Sequence, residues 1–252
     1  MSKTDDKEII IKNRHRVKQH GEVFTPREVV RNMINLPGMK DAIEEFQTTV
    51  LEPAVGEGVF LVEILKKRFK KVRKECEKDL NLYENLSLLA LTTLYGIELL
   101  EDNVQKCVNN IYQTFYDDYQ AFVAEEKSTV KPKVLESAKL IISANIVQGN
   151  FLTKLTTAGE SIVFSEWRIV KTKRRVKNIK VERTEFSLEE IMNQQTHEAG
   201  NIYNKNSKLM QLSIFDVFDI QAITPDSKEI KYKYVPVRIT DVYKQEMEET
   251  YG

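Results

Sequence analysis

Two acids and a pair of glycines stand where a chain can hold a nucleotide. Glu52, Gly56 and Gly58 belong to VLEPAVGEGVF (50–60), in which an apolar stub gives way to an acid, a loop and a second apolar run. The chain has only nine glycines. Glycine weakens helices and strands, so a pair here marks backbone that bends sharply or lets something approach closely. In a glycine-rich turn between a strand and a helix, small residues bring the backbone against a ligand. Glu98 closes YGIE (95–98), and a carboxylate there can accept two hydrogen bonds from ribose hydroxyls. Asn150 follows in QGNF (148–151), its amide suited to an adenine edge, with Phe151 placed to pack on the ring. A structural turn is the competing reading of the glycine pair taken alone. Gly21, Gly56, Gly58, Gly96 and Gly149, five of the nine, fall beside these proposed contacts, which favours the ligand.

The elements that must position these groups follow from periodicity. Residues 48–52 read as a short buried strand, and Val59 to about Val72 as a helix with Leu61, Ile64, Leu65 and Phe69 inward. A second helix is expected over 79–92 and a strand over 93–98. A long amphipathic helix follows at 101–123, with Val104, Val108, Ile111, Phe115 and Phe122 on one side. After a helical piece come strands at 144–151 and 161–165. This alternation predicts an α/β fold: a doubly wound, mostly parallel, Rossmann-like sheet with helices on both faces and ligands at the carboxyl ends of its strands. Upstream, Thr25, Pro26 and Glu28 compose a helix start with a capping box, and Val29, Val30, Met33 and Ile34 share a face. Downstream, 168–183 alternates enough for a β-hairpin, SLEEIMNQ (187–194) is a helix capped by Ser187 with Glu190, and YKYVPVRI (232–239) is strand-like.

Composition sets limits. Lys+Arg and Asp+Glu are both 38, so net charge says nothing for or against a nucleic acid or a membrane. Cys76 and Cys107 lack the company a disulfide framework or zinc site needs and read as free thiols in a reducing cytosol. His15, His20 and His197 are scattered, so no metal is expected. The polar N-terminus shows no signal peptide, and the most apolar window, 86–100, is too short to cross a bilayer. A cytoplasmic protein with no membrane partner is the expectation.

The motifs together resemble the cofactor-binding part of the DNA adenine-N6 methyltransferases of restriction–modification systems. GEVFTP (21–26) is similar to that family's first cofactor motif, and LEPAVGEGVFL (51–61) to its acid-Pro-Ala-x-Gly-x-Gly-x-Phe signature. YGIE and QGNFL then match the second and third motifs in order. The resemblance covers roughly 20–152 and implies S-adenosylmethionine as cofactor. Phe24 and Thr25 would touch its methionine end. Glu52, Pro53, Ala54, Gly56 and Gly58 would line its middle, Glu98 would hold the ribose, and Asn150 with Phe151 the adenine. Pro53 to Glu98 is 45 residues, longer than the about 20 of a plain dinucleotide unit; the excess is assigned to an extra helix at 73–92.

The same family uses a tetrapeptide, Asn/Asp-Pro-Pro-aromatic, after its fourth strand. It holds the amino group of a flipped-out adenine while the ring stacks on the base. This chain has no Pro-Pro pair. At the expected place it reads IVFSEWR (162–168), so Ser165 and Trp167 are the catalytic candidates; the dull reading of Trp167 is a large residue closing the core. The resemblance thus implies an adenine-N6 DNA methyltransferase, the modification component of a restriction–modification system. Its alternative is an inactive methyltransferase-fold subunit with a regulatory or structural role, and a third reading is transfer to RNA.

Three regions are expected: a flexible arm at 1–20, an S-adenosylmethionine-binding domain at 21–167, and a basic hairpin with a C-terminal extension at 168–252, completing the sheet or touching DNA. Arg168, Lys171, Lys173, Arg174, Arg175 and Lys177 could track the phosphates of double-stranded DNA; a solvated hairpin edge is the competing reading. With only 85 residues after Trp167, a separate specificity or restriction subunit is expected as a partner. Gln211–Phe215, QLSIF, resembles the peptide by which bacterial proteins bind the sliding clamp, although a core strand is the stronger reading.

Overall fold

The computed structural model describes residues 14–170, 179–203 and 230–251. Within the expected arm, Arg14–His20 form α1, and the Arg16 guanidinium grips both carboxylate oxygens of Asp102 at 2.8 and 3.0 Å. The chain continues through α2 (Arg27–Ile34), α3 (Met39–Glu44), β1 (Val50–Glu52), α4 (Val59–Cys76) and α5 (Leu80–Thr92). Then come β2 (Leu94–Glu98), α6 (Glu101–Glu125), α7 (Pro132–Asn145) and β3 (Ile146–Gln148). The three strands lie parallel in the order β1-β2-β3.

The helices form where the apolar spacing put them. In α4, Leu61, Ile64, Leu65, Phe69 and Val72 recur on one face, and all are buried. Asp79 caps α5 by accepting from Leu82 N–H at 3.1 Å, and α7 opens on Pro132, which has no N–H to leave unpaired. Tyr83 of α5 stacks on Phe122 of α6 with centroids 3.9 Å apart. Fully burying each such apolar side chain contributes about 1.5–3 kcal/mol.

Arg68 is the exception within this core: it is fully buried. Its guanidinium donates to Ile43 O at 2.9 Å, Ala90 O at 3.1 Å, Thr93 Oγ1 at 2.6 Å and Thr48 O at 2.6 Å. These acceptors are all neutral, and burial pulls the pKa down to about 10.

Side chains alternate across a strand. Val50, Leu94 and Ile146 face the layer formed by α4 to α7. Tyr95, Ile97 and Val147 face the other way, against Ile162, Phe164 and Leu188. That second face is covered by β4 (Val163–Ile169), its antiparallel partner β5 (Lys180–Ser187) and the short α8 (Leu188–Met192). The expected hairpin therefore forms, pairing Val163 with Ser187 through Ile169 with Val181. In doing so it commits β4 to an antiparallel partner and takes it out of the parallel sheet. A doubly wound arrangement is not reached among the described residues. The C-terminal stretch adds β6 (Ile230–Tyr234), β7 (Val237–Arg238), a 3-10 helix (Ile239–Lys244) and β8 (Met247–Tyr251). β7 pairs with β5, and β8 with β6. Ile239 and Val242 of the 3-10 helix join the main core.

Local expectations also change. The capping box at Thr25 does not form: Pro26 is extended (φ −58°, ψ 142°), α2 begins after it, and no side chain caps it. Thr25 stands one residue too early to reach the first free N–H groups. On α2 only Val30 and Ile34 are buried, while Val29 and Met33 are 45% and 42% exposed. β1, expected to be buried, is an edge strand with Leu51 40% exposed. At Ser187 the predicted cap is present as a full capping box with Glu190.

Gly58 shows how tightly the first loop meets the helical layer. Its φ is +82°, and an added Cβ would lie 2.7 Å from Cys107 Sγ on α6. Gly58→Ala is expected to destabilise the fold by roughly 1–3 kcal/mol, through both strain and overlap. Thermal melting checks this, and an unchanged midpoint would mean that α6 yields freely.

Candidate functional site

The glycine loop is held from behind by Glu98. Val55 N–H extends the ladder to Ile97 O at 2.9 Å, and Gly58 N–H closes a turn onto Val55 O at 2.8 Å. Between them Gly56 N–H donates to Glu98 Oε2 at 2.9 Å. The other oxygen of Glu98 accepts from Leu100 N–H at 3.1 Å and, at 3.5 Å, from Asn103 Nδ2. Asn103 Nδ2 also reaches Glu22 Oε1 at 2.8 Å, and Arg16 donates to the same oxygen at 2.6 Å. Glu98 is thus 9% exposed and already bonded to the protein. A carboxylate has about four acceptor sites, so three of them are in use.

In front of the loop lies a cleft of about 330 Å³. Phe24, Thr25, Glu52, Pro53, Ala54 and Gly56 all line it, so six of the sequence candidates converge there. The Phe24 ring faces Gly56, 4.0 Å from where a Cβ would stand. Val23 and Met33 supply apolar wall, 56% and 42% exposed. The volume falls at the low end of ligand pockets, about 300–1,000 Å³.

Glu52 is the anomalous residue of this wall. Its Oε2 is buried and has no hydrogen-bond partner among the described residues. Loss of hydration, reinforced by the Glu98 carboxylate, pushes its pKa up from 4.5 to about 8. Such an atom calls for a cation or a donor.

The remaining candidates stand elsewhere. Asn150 Oδ1 accepts from Leu152 N–H at 2.9 Å and Thr153 N–H at 3.4 Å, closing the turn after β3. Phe151 packs against the cluster of Ile97, Ile162, Phe164 and Leu188. Neither lines the cleft, although Gly149 N–H donates to Glu98 O at 2.9 Å and keeps their loop adjacent. Ser165 and Trp167 are 2% and 7% exposed. Ser165 Oγ accepts from Arg183 Nε at 2.9 Å, and the Arg183 guanidinium lies 5.3 Å from the Trp167 ring centre. The catalytic roles expected for this pair are not available in this arrangement: a stacking ring needs a free face and a holding group needs a free lone pair, and both are spent inside the fold. Arg168 is exposed and pairs with Glu166 at 3.2 Å. Lys171, Lys173, Arg174, Arg175, Lys177 and Gln211–Phe215 lie outside the described residues.

Sequence reasoning missed Glu22, Asn103 and Arg16, which brace Glu98. Glu22 lies inside the GEVFTP motif; Arg16 carries no local mark at all. Among the described residues no group of His, Cys, Asp and Glu is placed to hold a metal, and no helix is long and apolar enough to cross a membrane.

The burial of Glu52 fixes a pH dependence. Between pH 4.5 and about 8 the folded chain keeps a proton that the unfolded chain has released. Its contribution to stability is therefore full below 4.5 and is lost as pH rises through 8. Each pKa unit is worth about 1.4 kcal/mol, trimmed here because the residue is only partly covered. Glu52→Gln is expected to remove this slope and melt above the wild type on the alkaline side, with both alike near pH 5. Parallel melting curves across the range would show a hydrated carboxyl.

A scan against protein-family models matches the family described as N-6 DNA Methylase over residues 7–147. A search of curated proteins and one of solved structures returned no match. The matched stretch contains the glycine loop, Glu52 and Glu98, and it ends at β3, before Asn150 and β4. It spans more than half of the chain, and its cleft is the one the acids and glycines build: the chain belongs to the N-6 DNA methylase family.

Proposed function

We propose that this chain binds S-adenosylmethionine in the Glu52 cleft and serves adenine-N6 methylation of double-stranded DNA as part of a restriction–modification system. The observation that carries this reading is the buried, unpartnered oxygen of Glu52. The ammonium of the cofactor's methionine part supplies the cation that this oxygen calls for, with Phe24 and Thr25 beside it. Gly56, without a side chain, lets the middle of the ligand lie against the loop. Glu98 keeps one acceptor site for a sugar hydroxyl, and Asn150, its oxygen spent on the turn, would offer Nδ2 to the adenine. When bound, the cofactor supplies an electrophilic methyl group on a sulfonium sulfur. Arg168 and the basic residues after it would contact phosphate, and work on chromosomal DNA places the protein in the cytoplasm.

A second reading is favoured by a separate observation. Ser165 and Trp167 are buried and engaged by Arg183, so the chain by itself holds the cofactor better than it holds a target amino group. On this reading transfer to DNA requires further groups, and the isolated chain binds without reacting.

Calorimetry with S-adenosylmethionine at pH 7, in buffers of different ionisation enthalpy, tests the site. Binding is expected to release close to one proton, because the ammonium displaces the one on Glu52. Glu52→Gln is expected to abolish that release and to weaken binding by roughly 1.5–3 kcal/mol. Binding with no proton released would mean that another group meets the ammonium. Tritium transfer from labelled cofactor then separates the two readings: counts in unmodified DNA support the first, binding without counts the second, and counts in RNA alone overturn the DNA substrate.

A further inference from the structure

The parallel sheet stops at β1, and it stops with its backbone open. The β1–β2 register turns the backbone groups of Val50 and Glu52 toward β2; Val50 N–H, for example, donates to Thr93 O at 2.9 Å. In a parallel ladder the residue between them faces the opposite way. The N–H and C=O of Leu51 therefore point away from β2, as do those of Thr49. Among the described residues no strand pairs with them. An open edge is a template for another strand unless charge, proline or a bulge guards it. Here only Pro53 does so, at the next outward position.

Both sides of this edge are hollow. On the helical side is the 330 Å³ cleft, where Val23 and Met33 are exposed. On the other side is a hollow of about 500 Å³ with Tyr95, Phe164, Phe186 and Ile191 in its walls. Leu51 lines both. A strand laid along Leu51 would send alternate side chains into the two hollows. Its backbone bonds would fix register and direction, and the hollows would supply apolar burial.

We infer that β1 receives a parallel strand from a second polypeptide, which brings to the cofactor cleft the groups that hold the target amino group. This rests on the cofactor-binding reading above. A strand running parallel to β1 past Leu51 ends level with Glu52 and the glycine loop, so its carboxyl end reaches the mouth of the cleft. The chain itself brings no such groups there. No side-chain amide lines the cleft, Ser165 and Trp167 are buried, and the sequence holds no Pro-Pro pair. The partner's strand is therefore recognised by chemistry: alternating apolar residues, then an asparagine or aspartate and an aromatic ring held by a rigid turn.

The probe is a short synthetic peptide of alternating valine and lysine closed by Asn-Pro-Pro-Tyr, with a scrambled peptide as control. Amide exchange is followed by NMR in the wild-type chain, with and without saturating peptide. The Leu51 and Thr49 amides are expected to exchange fast alone and at least about tenfold more slowly with the probe. Because the Leu51 N–H faces outward, Leu51→Pro removes that donor without cutting the ladder to β2, and it is expected to weaken the probe by about tenfold. Three results overturn the inference. One is fast exchange under saturating probe. Another is slow exchange in the monomeric chain alone, which would mean that its own residues cover the edge. The last is slow exchange in a dimer, which would make a second copy the occupant. Calorimetry with S-adenosylmethionine on the same samples keeps the cases apart: cofactor binding without probe binding defeats this inference alone, and probe binding without cofactor binding defeats the function on which it rests.

Discussion

One carboxylate organises the functional end of this molecule. Glu98 terminates β2 and fastens the Gly56 loop, the first turn of α6 and, through Asn103, the segment carrying Glu22. Its partners are backbone N–H groups and a side-chain amide, which are among the stronger donors to a charged acceptor. Remove that group and the loop after β1 keeps its ladder bond at Val55 but loses the contact that sets its curvature. Arg16 of α1 then adds an outer tie, bonding both Glu22 and Asp102. The cleft wall is therefore fixed from within the sheet outward, before any ligand is present.

The two sides of the loop are built differently for a physical reason. Behind it, α6 approaches so closely that Gly58 meets Cys107, and burial raises that thiol well above its ordinary pKa. In front, α2 stands off and leaves Glu52 facing a space that polar protein atoms do not fill. A tightly packed back and an under-satisfied front are what a preformed ligand site looks like: rigidity comes from packing, and the unmet hydrogen-bonding capacity faces the guest.

How much of this is legible in the sequence depends on the range over which each feature is decided. The glycine loop, Glu98 and the helices were readable because residue type and 3.6-residue spacing act locally. The Ser187–Glu190 cap was readable for the same reason. The Thr25 cap was not, since Pro26 shifts the helix start by one position. β4 looks like a parallel strand because an apolar run does not announce its partner; only the pairing of Trp167 with Arg183 and its neighbours reveals the antiparallel choice. That choice also explains why Ser165 and Trp167 misled: their side chains serve the hairpin's own packing. The brace between Glu22 and Asn103 joins residues 81 apart, beyond any local pattern.

Arg68 carries a consequence for how the domain assembles. Its four neutral acceptors come from α3, the lead into β1 and the end of α5, and none of them offsets the charge alone. A guanidinium enclosed by only some of them would lose water without adequate replacement. Half-docked arrangements of these segments are therefore raised in energy relative to both the open and the complete state. The floor beneath the cofactor cleft should accordingly form cooperatively, and a lysine in its place, a point charge with three donors, has no fork with which to enforce that concerted closure.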